Sequence, residues 1–336
     1  MIEVESLSKT YGSTQAIRDV SFQVAPGEIL GFLGPNGAGK TTTMRILAGY
    51  LPATTGTARV DGFDVHEDSM AVRQRIGYLP ETPPLYPDMT VEGFLHFVGR
   101  IKGVAAGERA ERVAIATERC GLSHRRSDLI RKLSKGYRQR VGIAQAIVHD
   151  PPVIILDEPT VGLDPRQITE VRDLIRSLAG DHTIILSTHI LPEVSVTCNR
   201  VAIINQGQIV ATDTPDRLMS RLAAELSYEV EIKGDLALAQ ATLSALTAVQ
   251  QVNRLPEAAT GEHYRLQVML DPQQDVGSTI AASLIHAGLE LFELHRHRAS
   301  LEEVFLNLTT EDALEPENVT SLESDLVESP PVNSSL

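Results

Sequence analysis

The residues with the clearest chemistry are Gly34, Pro35, Asn36, Gly37, Ala38, Gly39, Lys40, Thr41 and Thr42, spaced as GxxxxGK[ST]. Glycines in such a loop let backbone N–H groups turn inward onto phosphate oxygens, and a helix opening directly behind it adds the favourable partial charge of its N-terminus. Lys40 is then placed to reach the β- and γ-phosphates of a nucleoside triphosphate, and the Thr41 hydroxyl to ligate Mg²⁺. A second constellation is Asp157-Glu158, at the end of the apolar run Val153-Ile-Ile-Leu156. Asp157 is suited to hold Mg²⁺, and Glu158 to polarise an attacking water as a general base. Taken alone, this pair reads equally as a strand running into a solvated turn. Beside the glycine-rich loop it points to hydrolysis of the triphosphate.

The elements needed to hold these residues are legible in residues 1–222. Ile29-Leu-Gly-Phe-Leu33, Val153–Leu156 and Thr183-Ile-Ile-Leu186 are short apolar runs, each followed by polar residues. Thr41 to Leu51 places Met44, Leu47 and Leu51 on one helical face, and Val171, Leu174, Ile175 and Leu178 mark another helix. Strand–helix–strand order predicts an α/β fold with a parallel sheet buried between helices, and ligands at the carboxyl ends of its strands. Val201–Ile204 followed by Gln206-Gly207-Gln208 reads as a hairpin.

Further motifs give the region a family likeness. Leu133-Ser-Lys-Gly-Tyr-Arg-Gln-Arg140 resembles the signature sequence of ABC-type ATPases, and Pro159-Thr-Val-Gly-Leu-Asp164-Pro165 their D-loop. Ser187-Thr-His189 is similar to their switch histidine segment. Tyr11, in Lys9-Thr-Tyr-Gly12, stands where the family has its adenine-stacking aromatic, and Gly77-Tyr-Leu-Pro-Glu81 where it has the Q-loop. Lys135 and Tyr137 depart from the common signature while Ser134 and Gly136 are retained, and Glu81 replaces glutamine. These departures resemble the bacterial ABC-2-type and gliding-motility-like exporter subgroup.

The resemblance implies a P-loop ABC-type nucleotide-binding domain at 1–222 with ATP and Mg²⁺ as its ligands. Tyr11 would stack on adenine, and His189 would read the γ-phosphate. Thr41, Asp157 and Glu81 would form the metal set. Ser134 and Gly136 would act on ATP held by an opposing subunit, in a homodimer or with a paired ATPase. An integral membrane permease would supply the pore and the only membrane contact. Each residue also has a plainer reading: Tyr11 as a half-buried edge aromatic, His189 as a packed or solvated histidine, Ser134 as a helix N-cap. A soluble ABC-family ATPase acting on a non-transport complex is the competing function. Tandem ATPase units, a long coiled coil or a zinc motif would favour it, and none is evident.

Residues 226–308 change character to β-α-β-β-α-β order, which predicts a small α+β, ferredoxin-like accessory domain closed by a helix over Leu301–Leu308. Its final segment, His297–Leu308, also resembles the accessory domain of that exporter subgroup. Residues 309–336 hold seven acids and no Lys or Arg, in a Glu-, Ser-, Pro- and Asn-rich stretch without periodicity. That composition predicts a disordered acidic tail. The net charge of −14 disfavours nucleic acid as a partner. Two cysteines without a CxxC exclude a disulfide framework, and neither a signal peptide nor a membrane span is evident, so a cytoplasmic protein is expected. His295 and His297 share a strand face but lack a third ligand, and the polar run from Asp61 to Asp68 reads as a loop. Deleting Thr309–Leu336 is expected to leave ATPase rate and melting temperature unchanged; a collapsed melting temperature in calorimetry would make the tail structural.

Overall fold

The computed structural model describes residues 2–222, 226–255, 263–270 and 276–297. The expected closing helix at Leu301–Leu308 and the acidic tail at 309–336 lie outside the described residues. Through residue 222 the chain runs β1 (Ile2–Tyr11), β2 (Thr14–Val24), β3 (Ile29–Leu33), α1 (Lys40–Leu47), β4 (Thr55–Val60), β5 (Phe63–Asp64), α2 (Ser69–Arg75) and β6 (Ile76–Leu79). It continues with α3 (Val91–Ile101), α4 (Arg109–Arg119), α5 (Lys135–Ile147), β7 (Val153–Asp157), α6 (Pro165–Leu178), β8 (Thr183–Thr188), α7 (Leu191–Thr197), β9 (Arg200–Asn205), β10 (Gln208–Asp213) and α8 (Pro215–Leu222).

The three apolar runs become β3, β7 and β8, buried along their whole length. Strands covered on both faces need side chains that are apolar in both directions, which is why these runs do not alternate. They lie in a six-stranded sheet of order β10-β9-β3-β8-β7-β6, parallel except for β10. Alternate residues feed two cores. Ile154, Leu156, Ile184 and Leu186 pack with α3, α4, α5 and α6. Val153, Ile155, Ile185, Leu30 and Phe32 pack with α1 and an antiparallel sheet of order β2-β1-β4-β5. That antiparallel sheet and the α3–α4 pair are additions to the simple strand–helix alternation expected of this region.

Local chemistry explains the helix boundaries. α6 starts where Asp164 accepts a hydrogen bond from Gln167 N–H (2.9 Å) and Pro165 takes the first turn; Val171, Leu174, Ile175 and Leu178 are its buried stripe. α1 ends at Leu47, short of the expected Leu51, because the chain turns at Gly49 with φ +70. Leu51 still packs against the core, but from the following loop. α5 lies close over β6, where a Cβ on Gly77 would collide with the Ala146 carbonyl oxygen.

The second unit comprises β11 (Leu226–Lys233), α9 (Leu236–Ser244), β12 (Val249–Arg254), β13 (His263–Leu270), α10 (Gly277–His286) and β14 (Glu290–His297). Its sheet is antiparallel with order β12-β13-β11-β14. Val230, Ile232, Leu266, Val268 and Leu270 form its core with Leu243, Ile280 and Leu284 of the helices. The inward residues are spaced by two along the strands and the outward ones are mostly polar, with Phe292 and Met269 as exceptions, the pattern of a sheet covered on one face.

Gly77→Ala should destabilise the fold by about 1–3 kcal/mol, because the colliding atom is backbone and cannot rotate away. A lowered urea midpoint with unchanged slope is the expected signature, and an unchanged midpoint would show that α5 can shift freely.

Candidate functional site

Three adjacent parallel strands end at one place. β3 runs into Gly34–Gly39, β8 into His189 and β7 into Glu158, so sheet order alone brings together segments far apart in sequence. Lys40 Nζ donates to the carbonyls of Gly34 (2.8 Å) and Pro35 (3.2 Å) and lies 3.2 Å from Glu158 Oε1. The other Glu158 oxygen, Oε2, is 2.9 Å from His189 Nδ1. Lys40 and Glu158 are each only 6% exposed, so salt hardly screens their attraction.

The loop conformation needs specific residues. Gly39 has φ +105, and a Cβ there would meet Ala16 O at 2.8 Å and Ile17 Cγ2 at 2.5 Å. Only glycine satisfies both constraints. The backbone is then tied from outside: Gly207 N–H, in the β9–β10 turn, donates to Ala38 O (3.1 Å), and Gly34 N–H donates to Thr188 O (3.4 Å). No side chain caps α1, so its first amides remain directed at the loop.

Glu158 itself sits in the left-handed region at φ +50, uncommon for a side chain with a Cβ. Its N–H donates to both the carbonyl and the hydroxyl of Ser187, each at 3.1 Å, which holds the turn. The same Ser187 hydroxyl donates to Asp157 Oδ1. Asp157 is fully buried, and its Oδ2 has no hydrogen-bond partner among the described residues. Burial raises the Asp157 pKa; hydrogen bonds from Ser187 and Thr41 pull against that, and the negative charges of Glu158 and Glu81 add to it. A buried carboxylate with one free oxygen, beside a threonine hydroxyl, has the chemistry of a hard-cation ligand set.

The loop borders a cavity of about 400 Å³ whose walls include Asn36, Lys40, Thr41, Thr42, Glu81 and His189. Glu81 is exposed there, beyond β6. Ala16 and Val161 also line it, and sequence reasoning missed both. It missed Ser187 and Gly207 as well. The available signal for Ser187 was a small hydroxyl at the end of an apolar strand; none existed for Gly207 beyond its place in a turn.

Two predicted groups lie elsewhere. Ser134 caps α5, accepting from Tyr137 N–H at 3.4 Å, and lines a separate cavity of about 470 Å³ with Gly136, Tyr137, Arg140, Asp164 and Gln167. Tyr11 does not line the loop cavity. It is 46% exposed at the end of β1, opposite Thr14, with the Lys9 ammonium 5.3 Å from its ring centroid. His295 and His297 pair across strands with Glu229 and Ser227, and no group of three metal-ligating side chains is present among the described residues.

Known proteins resemble this chain. A family model described as ABC transporter matches residues 17–161, which include the loop, Glu81, Ser134, Gly136, Asp157 and Glu158 but not Tyr11 or His189. The linearmycin resistance ATP-binding protein LnrL of Bacillus subtilis (strain 168) is 33% identical over 313 residues, spanning 92% of this chain and 98% of its own length. The Nod factor export ATP-binding protein I of Ralstonia nicotianae is 36% identical over 311 residues, spanning 92% of this chain and 94% of its own. A solved structure described as the ATP binding subunit of an ABC transporter superposes with a TM-score of 0.61 at 31% identity, over 66% of this chain and 93% of that one.

Because burial penalises the charged form of Asp157, Asp157→Asn should raise the melting temperature at neutral pH by about 2–5 °C. The sign follows from the raised pKa: the wild-type fold loses stability as pH rises through the folded value, so the gain shrinks as pH falls toward the ordinary carboxylate range. Thermal melts across that range would show it, and a variant less stable than wild type at neutral pH would contradict it.

Proposed function

This chain belongs to the ABC transporter family of ATP-binding proteins, and we propose that it is the motor subunit of an ABC-2-type exporter working with a separate membrane permease. The observation that carries the catalytic reading is the buried Glu158, held between Lys40 and His189 at 3.2 Å and 2.9 Å. A carboxylate fixed at the carboxyl end of the sheet, facing the phosphate loop, is positioned to accept the proton of an attacking water. His189, against the same carboxylate, orients it and responds to the γ-phosphate. Lys40 and the loop from Gly34 to Thr42 hold the β- and γ-phosphates, and Tyr11 stacks on the adenine.

Thr41 and Asp157 would hold Mg²⁺, with Glu81 as a third ligand; the free Oδ2 of Asp157 supports that set. When bound, the ion supplies charge neutralisation on the phosphate oxygens. Ser134 and Gly136 are read as acting on ATP held by a second subunit. That reading is supported by their position in a cavity distinct from the one at Lys40. Two such chains, arranged head to tail, would close on two ATP molecules and reopen on hydrolysis.

We assign 1–222 and 226–308 as two domains; the separate core of the second unit and its strand order support a ferredoxin-like accessory domain. Among the described residues no helix is long and apolar enough to cross a membrane. We read the subunit as working on the cytoplasmic face of the cell membrane through its permease. The export assignment rests on the relatives, one of which is named for Nod factor export.

Glu158→Gln keeps the size and one acceptor of the side chain but removes the base. It should lower the steady-state rate by about 100-fold or more while ATP still binds, and ATP should drive the variant to a stable dimer in size-exclusion chromatography. Wild-type turnover in this variant would remove Glu158 from the base role.

A further inference from the structure

Glu193 is a buried carboxylate that the loop, base and sensor assignments leave unused. It lies in α7, 2% exposed, with no Lys, Arg or His within ion-pair distance among the described residues. Burying a charge without a cationic partner is costly, so its surroundings must repay it with hydrogen bonds. Two hydroxyls do so at one oxygen, while Oε1 has no hydrogen-bond partner among the described residues. Thr160 Oγ1 donates to Glu193 Oε2 at 2.8 Å, and Thr188 Oγ1 donates to the same oxygen at 3.0 Å.

Those two threonines lie on the two segments that must meet for hydrolysis. Thr160 is two residues beyond Glu158, on the loop leaving β7. Thr188 immediately precedes His189 at the end of β8. Its hydroxyl also accepts from Ile190 N–H at 3.0 Å, and its carbonyl accepts from Gly34 N–H of the phosphate loop at 3.4 Å. One carboxylate oxygen thus ties the base loop, the sensor segment and α7 together, with the phosphate loop attached through Thr188.

The base loop has reason to need such a tie. Glu158 holds a left-handed backbone at φ +50, a conformation that persists only where neighbouring structure enforces it. Ser187 secures the residue from one side. Beyond it, Thr160 is 2% exposed, and its hydroxyl contact to Glu193 is the anchor on the other side. We propose that Glu193 is a positioning residue for ATP hydrolysis, which sets the approach of Glu158 to His189 by clamping Thr160 and Thr188 to a single oxygen. This rests on the reading of Glu158 as the base. Glu193 touches neither nucleotide nor water; it acts through the two threonines.

The role makes a graded set of outcomes measurable in the full chain. Glu193→Gln can present its amide oxygen to both hydroxyls and should keep kcat within about threefold of wild type. Glu193→Ala should lower kcat by about tenfold or more with the KM for ATP changed less than threefold, because nucleotide binding sits mainly on the phosphate loop. Thr160→Val removes one hydroxyl at nearly constant volume and should lower kcat in the same direction with KM preserved. It covers the case in which Glu193→Ala does not fold. A double-mutant cycle between Thr160→Val and Glu193→Ala should be non-additive, the second substitution costing little once the first is present.

Running Glu158→Gln in parallel separates two failures. If that variant turns over like wild type, the base reading itself falls. If it is inactive while Thr160→Val and Glu193→Ala keep wild-type kcat, or lose only melting temperature, the positioning role is overturned. A Gln variant as slow as the Ala variant would also overturn it, since the oxygen acceptor would then not be what matters.

Discussion

Two consecutive carboxylates, Asp157 and Glu158, are buried at the end of a strand that is itself buried along its whole length, and the site is organised around making that burial tolerable. An ionised carboxylate leaves water at a cost of several kcal/mol unless other groups replace the lost hydration. Here the replacements come from four side chains. Lys40 comes from the helix after β3, Ser187 from β8, His189 from the loop beyond it, and Thr41 from the first turn of α1. Removing Lys40, Ser187 or His189 would leave a carboxylate oxygen short of its partner. Among the described residues, Oδ2 of Asp157 has no hydrogen-bond partner, and Oε1 of Glu158 has only its ion pair with Lys40.

This arrangement stores strain and charge where chemistry is to be done. The left-handed backbone at Glu158 turns its side chain back over the sheet end rather than out to solvent. The raised pKa of Asp157 reports the same tension in electrostatic form. Stability is given up locally, and the large two-sided core of the parallel sheet compensates for it.

Much of this was legible in the residues. The phosphate loop declared itself because glycine spacing, Lys40 and Thr41 form a contiguous pattern with one chemical use. Asp157 and Glu158 were legible because an apolar run ends in two acids. The parallel sheet followed from strands apolar on both faces. The brace from Gly207 to Ala38, the double hydrogen bond from Glu158 to Ser187 and the Glu193 contacts were not legible, since each joins residues with no shared sequence pattern. The length of α1 was misjudged for a related reason: Leu51 keeps the helical spacing, but the turn at Gly49 had already ended the helix.

The sequence by itself determined the kinds of groups available and the strands that carry them, because local spacing and hydrophobic period act over a few residues. Only the tertiary structure decided which groups meet. Strand order β3-β8-β7 places Lys40, His189 and Glu158 within hydrogen-bonding reach, though more than a hundred residues separate the first from the others. The same order leaves Ser134 and Gly136 in a different cavity from the phosphate loop. Pairing in a sheet is set by the packing of both faces at once, and no window along the chain contains that information.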